Sequence, residues 1–162
     1  MGKKIRKQNI FLILHDIRSV INVGAIFRTA ECVGISKIYL TGYTPTPVDR
    51  FSRVRVDFTK SALGSEKLIQ WEQKENIAEF LVRLKKEGVQ IIAVEQSKDS
   101  RDYKKIKVIG PTAFIFGNEV KGLAPVILKK ADIVLEIPLR GNKESLNVSV
   151  AVGIILFRVL NV

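Results

Sequence analysis

The stretch IVLEIPLRGNKESLNVSVAVGIILFRVL, Ile133 to Leu160, decides the fold class. Ile133–Ile137 reads as a short apolar strand stopped by Pro138. A polar loop around Gly141 follows, and Ser145 or Asn147 stands where a helix N-cap belongs. Val148 to Leu160 then reads as a helix apolar nearly all round, so it is expected to be deeply buried or covered by a partner. Strand, loop and buried helix form one unit of an α/β fold.

The same alternation extends outward. Phe11–His15, Lys37–Thr41, Gln90–Val94 and Thr112–Phe116 read as strands. Between them, Val23, Ile26, Phe27, Ala30 and Val33 recur at helical spacing from Asn22 to Val33, and Ile77, Phe80, Leu81 and Leu84 mark a helix ended by Gly88. Pro125–Lys130 is expected to be a short helix, with proline in its first turn. From Asp49 to Trp71 the pattern reads as a basic loop turning helical near Ser65, and Glu95 to Lys107 as a polar loop. Alternating strands and helices imply an α/β domain with a mainly parallel sheet. The 162 residues read as one domain, 1–162, preceded only by a short basic segment over residues 1–8.

Composition narrows the partners. Hydrophobic residues are 46% and charged residues 27%, which is globular, and the formal net charge of +11 calls for an acidic partner such as nucleic acid or an anionic membrane. The longest apolar run is too short to span a bilayer, and the N-terminal region lacks a signal-peptide core, so a cytoplasmic protein is expected. One cysteine and one histidine leave no usual zinc ligand set, so no metal is expected.

Three segments could carry chemistry. In NVGAIFR, Asn22 sits as an N-cap, and Arg28 is expected to lie over the bare patch left by Gly24, where an RNA phosphate could bind. In IFGNEVKG, Asn118 and Glu119 are presented at the carboxyl end of a strand, where open α/β sheets bind ligands. In IPLRGNKESLNVSVA, Ser145, Asn147 and Ser149 offer more polar groups than one helix cap requires. No nucleotide-binding glycine loop of either usual spacing occurs.

In this order, the three segments resemble the three motifs of the SpoU (TrmH) family within the SPOUT superfamily, from about Leu12 to the C-terminus. The resemblance implies an α/β fold with a mainly parallel sheet and a C-terminal deep trefoil knot, a rare exception to unknotted chains. It also implies a homodimer and an S-adenosylmethionine-dependent methyltransferase acting on a ribose 2′-hydroxyl. Transfer RNA is the expected RNA, with ribosomal RNA the alternative. A noncatalytic RNA-binding protein on the same scaffold is the competing class, and the retained polar residues of all three motifs count against it.

By position, the resemblance places cofactor contacts at Val94, Gly117, Ile137, Ser145 and Leu146. Arg28, Asn22, Glu119 and Asn147 match the family's catalytic and polar site residues. A guanidinium does not yield its proton near neutrality. Arg28 is therefore read as orienting the hydroxyl and clamping phosphate, with the proton acceptor left open. Ser149, Arg53 and Arg55 are candidate substrate contacts beside Arg28. The sequence shows no additional RNA-binding domain, so the core surface is expected to select the RNA. Lys3, Lys4, Arg6 and Lys7, then Arg50, Arg53, Arg55 and Lys60, and then Lys98, Arg101, Lys104, Lys105 and Lys107 form its basic groups. No exposed aromatic platform for base stacking is expected.

Overall fold

The structure, a computed structural model, describes residues 9–162. The basic group Lys3, Lys4, Arg6 and Lys7 lies outside the described residues. In chain order the elements are β1 (Ile10–His15), α1 (Val20–Cys32), β2 (Lys37–Thr41), α2 (Val56–Ala62), α3 (Ser65–Leu68), β3 (Gln70–Lys74) and α4 (Ile77–Lys86). There follow β4 (Gln90–Val94), β5 (Arg101–Asp102), β6 (Thr112–Phe116), α5 (Pro125–Leu128), β7 (Ile133–Glu136) and α6 (Val148–Leu160).

All seven strands join one sheet in the order β3-β2-β1-β6-β4-β7-β5, and every pairing is parallel. Alternate side chains of the central strands feed opposite layers. Leu12, Leu14, Phe114 and Phe116 face a core with α1, α2 and α6. Ile13, Ala113 and Ile115 face a second core with α4 and α5. Burial on both faces explains why β6, TAFIF, is buried at every position. The late strand β6 sits between β1 and β4. The carboxyl ends of β4, β6 and β7 therefore lie side by side, although long segments separate them in the chain.

The sheet departs from expectation at its rim. β3, QWEQK, has no apolar alternation because it is an edge strand. It is tied down by charge: Lys37 Nζ donates to Glu72 Oε2 at 2.7 Å, and Lys74 also donates to Glu72. These bonds, that from Lys37 first, lower the Glu72 pKa to about 2. The first helix in the 49–71 region begins at Val56, well before Ser65, because Phe58 packs edge-on against Phe27, with ring centroids 5.1 Å apart. The loop after β4 contains the two-residue β5 and a 3₁₀ turn at Tyr103–Lys105. α5 ends at Leu128, and β7 ends at Glu136, one residue before the expected limit.

At the carboxyl end of β1, His15 Nδ1 lies 2.8 Å from Thr41 Oγ1, and Nε2 lies 3.2 Å from Asp16 Oδ2. Burial lowers the His15 pKa, and the opposing pull of Asp16 does not restore it. The unfolded chain therefore binds more protons in this window, and stability falls as pH drops below about 6.5 toward the lower folded value. His15 is the chain's single histidine, so no other side chain ordinarily titrates there. The melting temperature is expected to decline between pH 7 and pH 5.5, and His15→Gln should flatten that slope. An unchanged slope in the variant would remove His15 as its cause.

Candidate active site

The three motif segments meet at the carboxyl end of the sheet, and their polar side chains form one hydrogen-bonded series. Glu119, in the loop after β6, crosses to the start of α1. Its carboxylate accepts from the Arg18 N–H at 3.0 and 3.3 Å, the Ser19 N–H at 3.2 Å and Asn22 Nδ2 at 3.3 Å. Asn22 Oδ1 then accepts from Asn147 Nδ2 at 3.2 Å. Asn147 Oδ1 in turn accepts from the Ser149 N–H at 2.9 Å and the Ser149 hydroxyl at 2.6 Å. Glu119, Asn22, Asn147 and Ser149 are thus brought together from three parts of the chain.

The series changes one assignment and settles another. Asn22 is not the cap of α1: Ser19 is, its Oγ accepting from the Asn22 N–H at 3.2 Å. Asn22 lies one turn in, which frees its amide to join Glu119 to Asn147. Asn147 does cap α6. Burial alone would raise the Glu119 pKa, but the donated bonds from Arg18, its own backbone, Ser19 and Asn22 outweigh it and hold the carboxyl below its usual value. A carboxylate so engaged is a brace rather than a ready proton acceptor.

Arg28 stands apart from this series. It is exposed and makes no hydrogen bond or ion pair among the described residues. It lies six residues beyond Asn22, about 9 Å along the helix axis. The expected bare patch at Gly24 is filled, because α2 packs there. A Cβ on Gly24 would sit 2.7 Å from Ser61 Cβ and 2.9 Å from the Phe58 carbonyl oxygen. Glycine at 24 therefore serves helix packing and not phosphate access.

Beside the series opens a cleft of about 300 Å³. Val94, Gly117, Ile137, Ser145 and Leu146 all line it. Gly117 is required by close approach: a Cβ there would meet the Leu123 side chain at 2.7 Å and the Gly122 backbone at 2.9 Å. Sequence reasoning missed the charge of this cleft. Among the described residues Glu95, Glu119, Glu136 and Glu144 line it against one cation, Lys121, in a protein of net charge +11. The Glu95 carboxylate also accepts from the Leu123 N–H at 2.8 Å and so holds the loop after β6 in place. An acidic, partly apolar cleft fits a ligand carrying positive charge and a flat apolar ring.

Two further residues support the site: Asn118, expected at the carboxyl end of β6, and Tyr43, which escaped the sequence. Asn118 is buried, and its Nδ2 donates to the Asp16 carbonyl at 2.9 Å and to the Tyr43 hydroxyl at 2.8 Å. Its position after a strand-ending glycine was the available signal. The other residue, Tyr43, in the loop after β2, carries no such mark in the sequence. Arg53 and Arg55 do not line the acidic cleft. Arg53 is paired with Asp49 at 2.8 Å, and Arg55 lines a separate depression. Exposed aromatic surface is present after all, in Tyr43 at 58% and Phe51 at 62% exposure. Both lie in loops, where apolar periodicity gives no reading.

The model of the SpoU rRNA Methylase family matches residues 9–157. The chain belongs to this family. Its relatives include the tRNA (guanosine(18)-2′-O)-methyltransferase of Aquifex aeolicus, 33% identical over 152 residues, covering 94% of this chain and 69% of the relative. The structure of the A. aeolicus TrmH/SpoU tRNA modifying enzyme superposes with a TM-score of 0.83 at 30% identity, covering 95% of this chain and 75% of that one. The AdoMet-bound rRNA methyltransferase of Sinorhizobium meliloti gives a TM-score of 0.83 at 30% identity, covering 94% of this chain and 56% of that one. SpoU-family methyltransferases use S-adenosylmethionine, and the chain is an RNA methyltransferase of this family with the α/β, parallel-sheet architecture of its relatives. Among the described residues no helix is long and apolar enough to cross a membrane, and no group of side chains could hold a metal ion.

Proposed function

We propose that the protein transfers a methyl group from S-adenosylmethionine to a ribose 2′-hydroxyl of RNA, with transfer RNA as the substrate and ribosomal RNA as the alternative. One observation carries this reading: the Glu119–Asn22–Asn147–Ser149 series stands at the lip of an acidic cleft lined by all five expected cofactor contacts. The cofactor supplies an activated methyl group on a sulfonium. The cleft's four carboxylates suit its positive charge, and Val94, Gly117, Ile137, Ser145 and Leu146 would hold it. Bound there, it would supply a methyl group for the ribose oxygen and depart as a neutral thioether, with the hydroxyl proton released to solvent. This chain's own contribution is alignment of the two reactants. Asn22 and Asn147 present fixed amides toward the ribose, and Glu119 holds Asn22 in that orientation. Arg28, which has no hydrogen-bond or ion-pair partner among the described residues, clamps the adjoining phosphate and orients the hydroxyl. Ser149, at the first turn of α6, adds a further hydroxyl toward the substrate.

The same reading includes a C-terminal deep trefoil knot, a homodimer and a cytoplasmic location, with residues 1–162 acting as one methyltransferase domain. The homodimer is supported by apolar side chains left open on α1 and α6: Ile21 is 65% exposed, Val150 49% and Phe157 42%. Calorimetric titration with S-adenosylmethionine, followed by assay of methyl transfer to bulk tRNA, tests the proposal. Saturable binding of one cofactor per chain and label in ribose 2′-O-methyl nucleotides are expected. Binding without transfer to either tRNA or rRNA would favour the noncatalytic reading.

A further inference from the structure

A second depression, of about 350 Å³, lies beside the loops that follow β2. Its chemistry is opposite to that of the cofactor cleft: Arg50 and Arg55 line it, with Tyr43, Asp49, Trp71 and Gln73. The charge of Asp49 is already engaged. Its Oδ1 accepts from the Phe51 and Arg53 N–H groups at 2.8 and 3.0 Å, and its Oδ2 accepts from Arg53 Nε at 2.8 Å. Arg50 and Arg55 make no ion pair among the described residues. Arg55 Nε is, in addition, a buried donor with no acceptor among the described residues. Buried N–H groups in folded proteins almost always have a partner, so this one points to an acceptor brought by a ligand.

The aromatic component is equally fixed. The Tyr43 N–H donates to Asp16 Oδ1 at 3.1 Å, while its hydroxyl accepts from Asn118, so the exposed ring is held at both ends. Next to the depression, exposed Phe51 lies under the guanidiniums of Arg50 and Arg53, at 4.8 and 5.0 Å from its ring centroid.

An immobilised ring beside a guanidinium with an unpaired buried donor is what holds one unstacked nucleotide, the base on the ring and the phosphate on the arginine. We infer that this depression is a subsite for an RNA nucleotide flanking the methylated one, with its base against Tyr43 and its phosphate on Arg55 and Arg50. Asn118 lines the cofactor cleft and bonds the Tyr43 hydroxyl, so the subsite adjoins the cleft while remaining a separate depression. The inference rests on the RNA reading above and adds where the chain grips RNA away from the reacting ribose.

Trp71 is the only tryptophan of the chain and lines the depression, so its emission reports occupancy directly. Bulk tRNA is expected to quench Trp71 saturably, whereas inorganic phosphate at equal concentration should not. Arg55→Ala should weaken tRNA binding and lower the salt dependence by about one phosphate contact. Tyr43→Ala should weaken binding and quenching, and Tyr43→Phe, which keeps the ring, should restore most of both. All three variants should bind S-adenosylmethionine as the wild type does, which separates this subsite from the cofactor cleft. Wild-type tRNA affinity in both alanine variants would overturn the subsite while leaving the RNA reading standing. So would tRNA bound on filters with no change in Trp71 emission. Equal quenching by phosphate alone would reduce the depression to an anion site and overturn the nucleotide. Failure of the wild type to bind any tRNA or rRNA would sink the RNA reading itself.

Discussion

Arg28→Ala is expected to lower methyl transfer by about a thousandfold or more while leaving S-adenosylmethionine affinity within about twofold. The split follows from geometry. Arg28 does not line the cofactor cleft, and no carboxylate among the described residues engages its charge. Its removal should therefore leave the cleft and the helix intact; exposed arginine and alanine are both good helix formers. What disappears is a forked donor available to a phosphate beside the reacting ribose. Arg28→Lys should recover only part of the rate, because an ammonium keeps the charge but not the fork. Single-turnover methylation, with cofactor calorimetry on the same preparations, provides the check. A fully active alanine variant would overturn the assigned role, and lost cofactor binding would move Arg28 into the cleft.

Glu119→Gln is expected to reduce both turnover, by about a hundredfold, and the melting temperature, by several degrees. The carboxylate is acceptor-only and faces donors from Arg18, Ser19 and Asn22. A carboxamide there offers one oxygen and turns an N–H pair toward other N–H groups. Asn22 would lose the contact that fixes its amide, and through it the bond to Asn147 would loosen. The lowered pKa of Glu119 gives the same brace a pH signature. Its stabilisation is complete above the ordinary glutamate range and is lost as pH falls through the lower folded value. That loss is absent in the variant. Equal melting curves with reduced turnover would contradict the bracing role and make Glu119 a direct participant in the chemistry.

Much of the architecture was legible because it rests on apolar runs of definite length. β2, β4, β6 and α6 fall on their expected residues, and β1 differs by one. β3 and α2 were not legible: the first is a polar edge strand held by Lys37 and Lys74, the second a short helix fixed by Phe58 against Phe27. In the site, the identities of Asn22, Glu119 and Asn147 could be read, but not their mutual bonds. Ser19 was not legible as the cap because Asn22 is an equally good capping residue and stands directly before Val23.

By itself, the sequence determined an α/β domain, the three polar segments and the positive charge that suits RNA, since these depend only on residue type and local spacing. The tertiary structure alone decided how those segments meet. Inserting β6 between β1 and β4 aligns the ends of β4, β6 and β7, so residues separated by about 100 positions come within hydrogen-bond reach. It also sorted the charges of a basic chain into an acidic cleft and a separate arginine-lined depression. Which carboxylates gather and which arginines remain unpaired is set by long-range packing, and no local pattern records it.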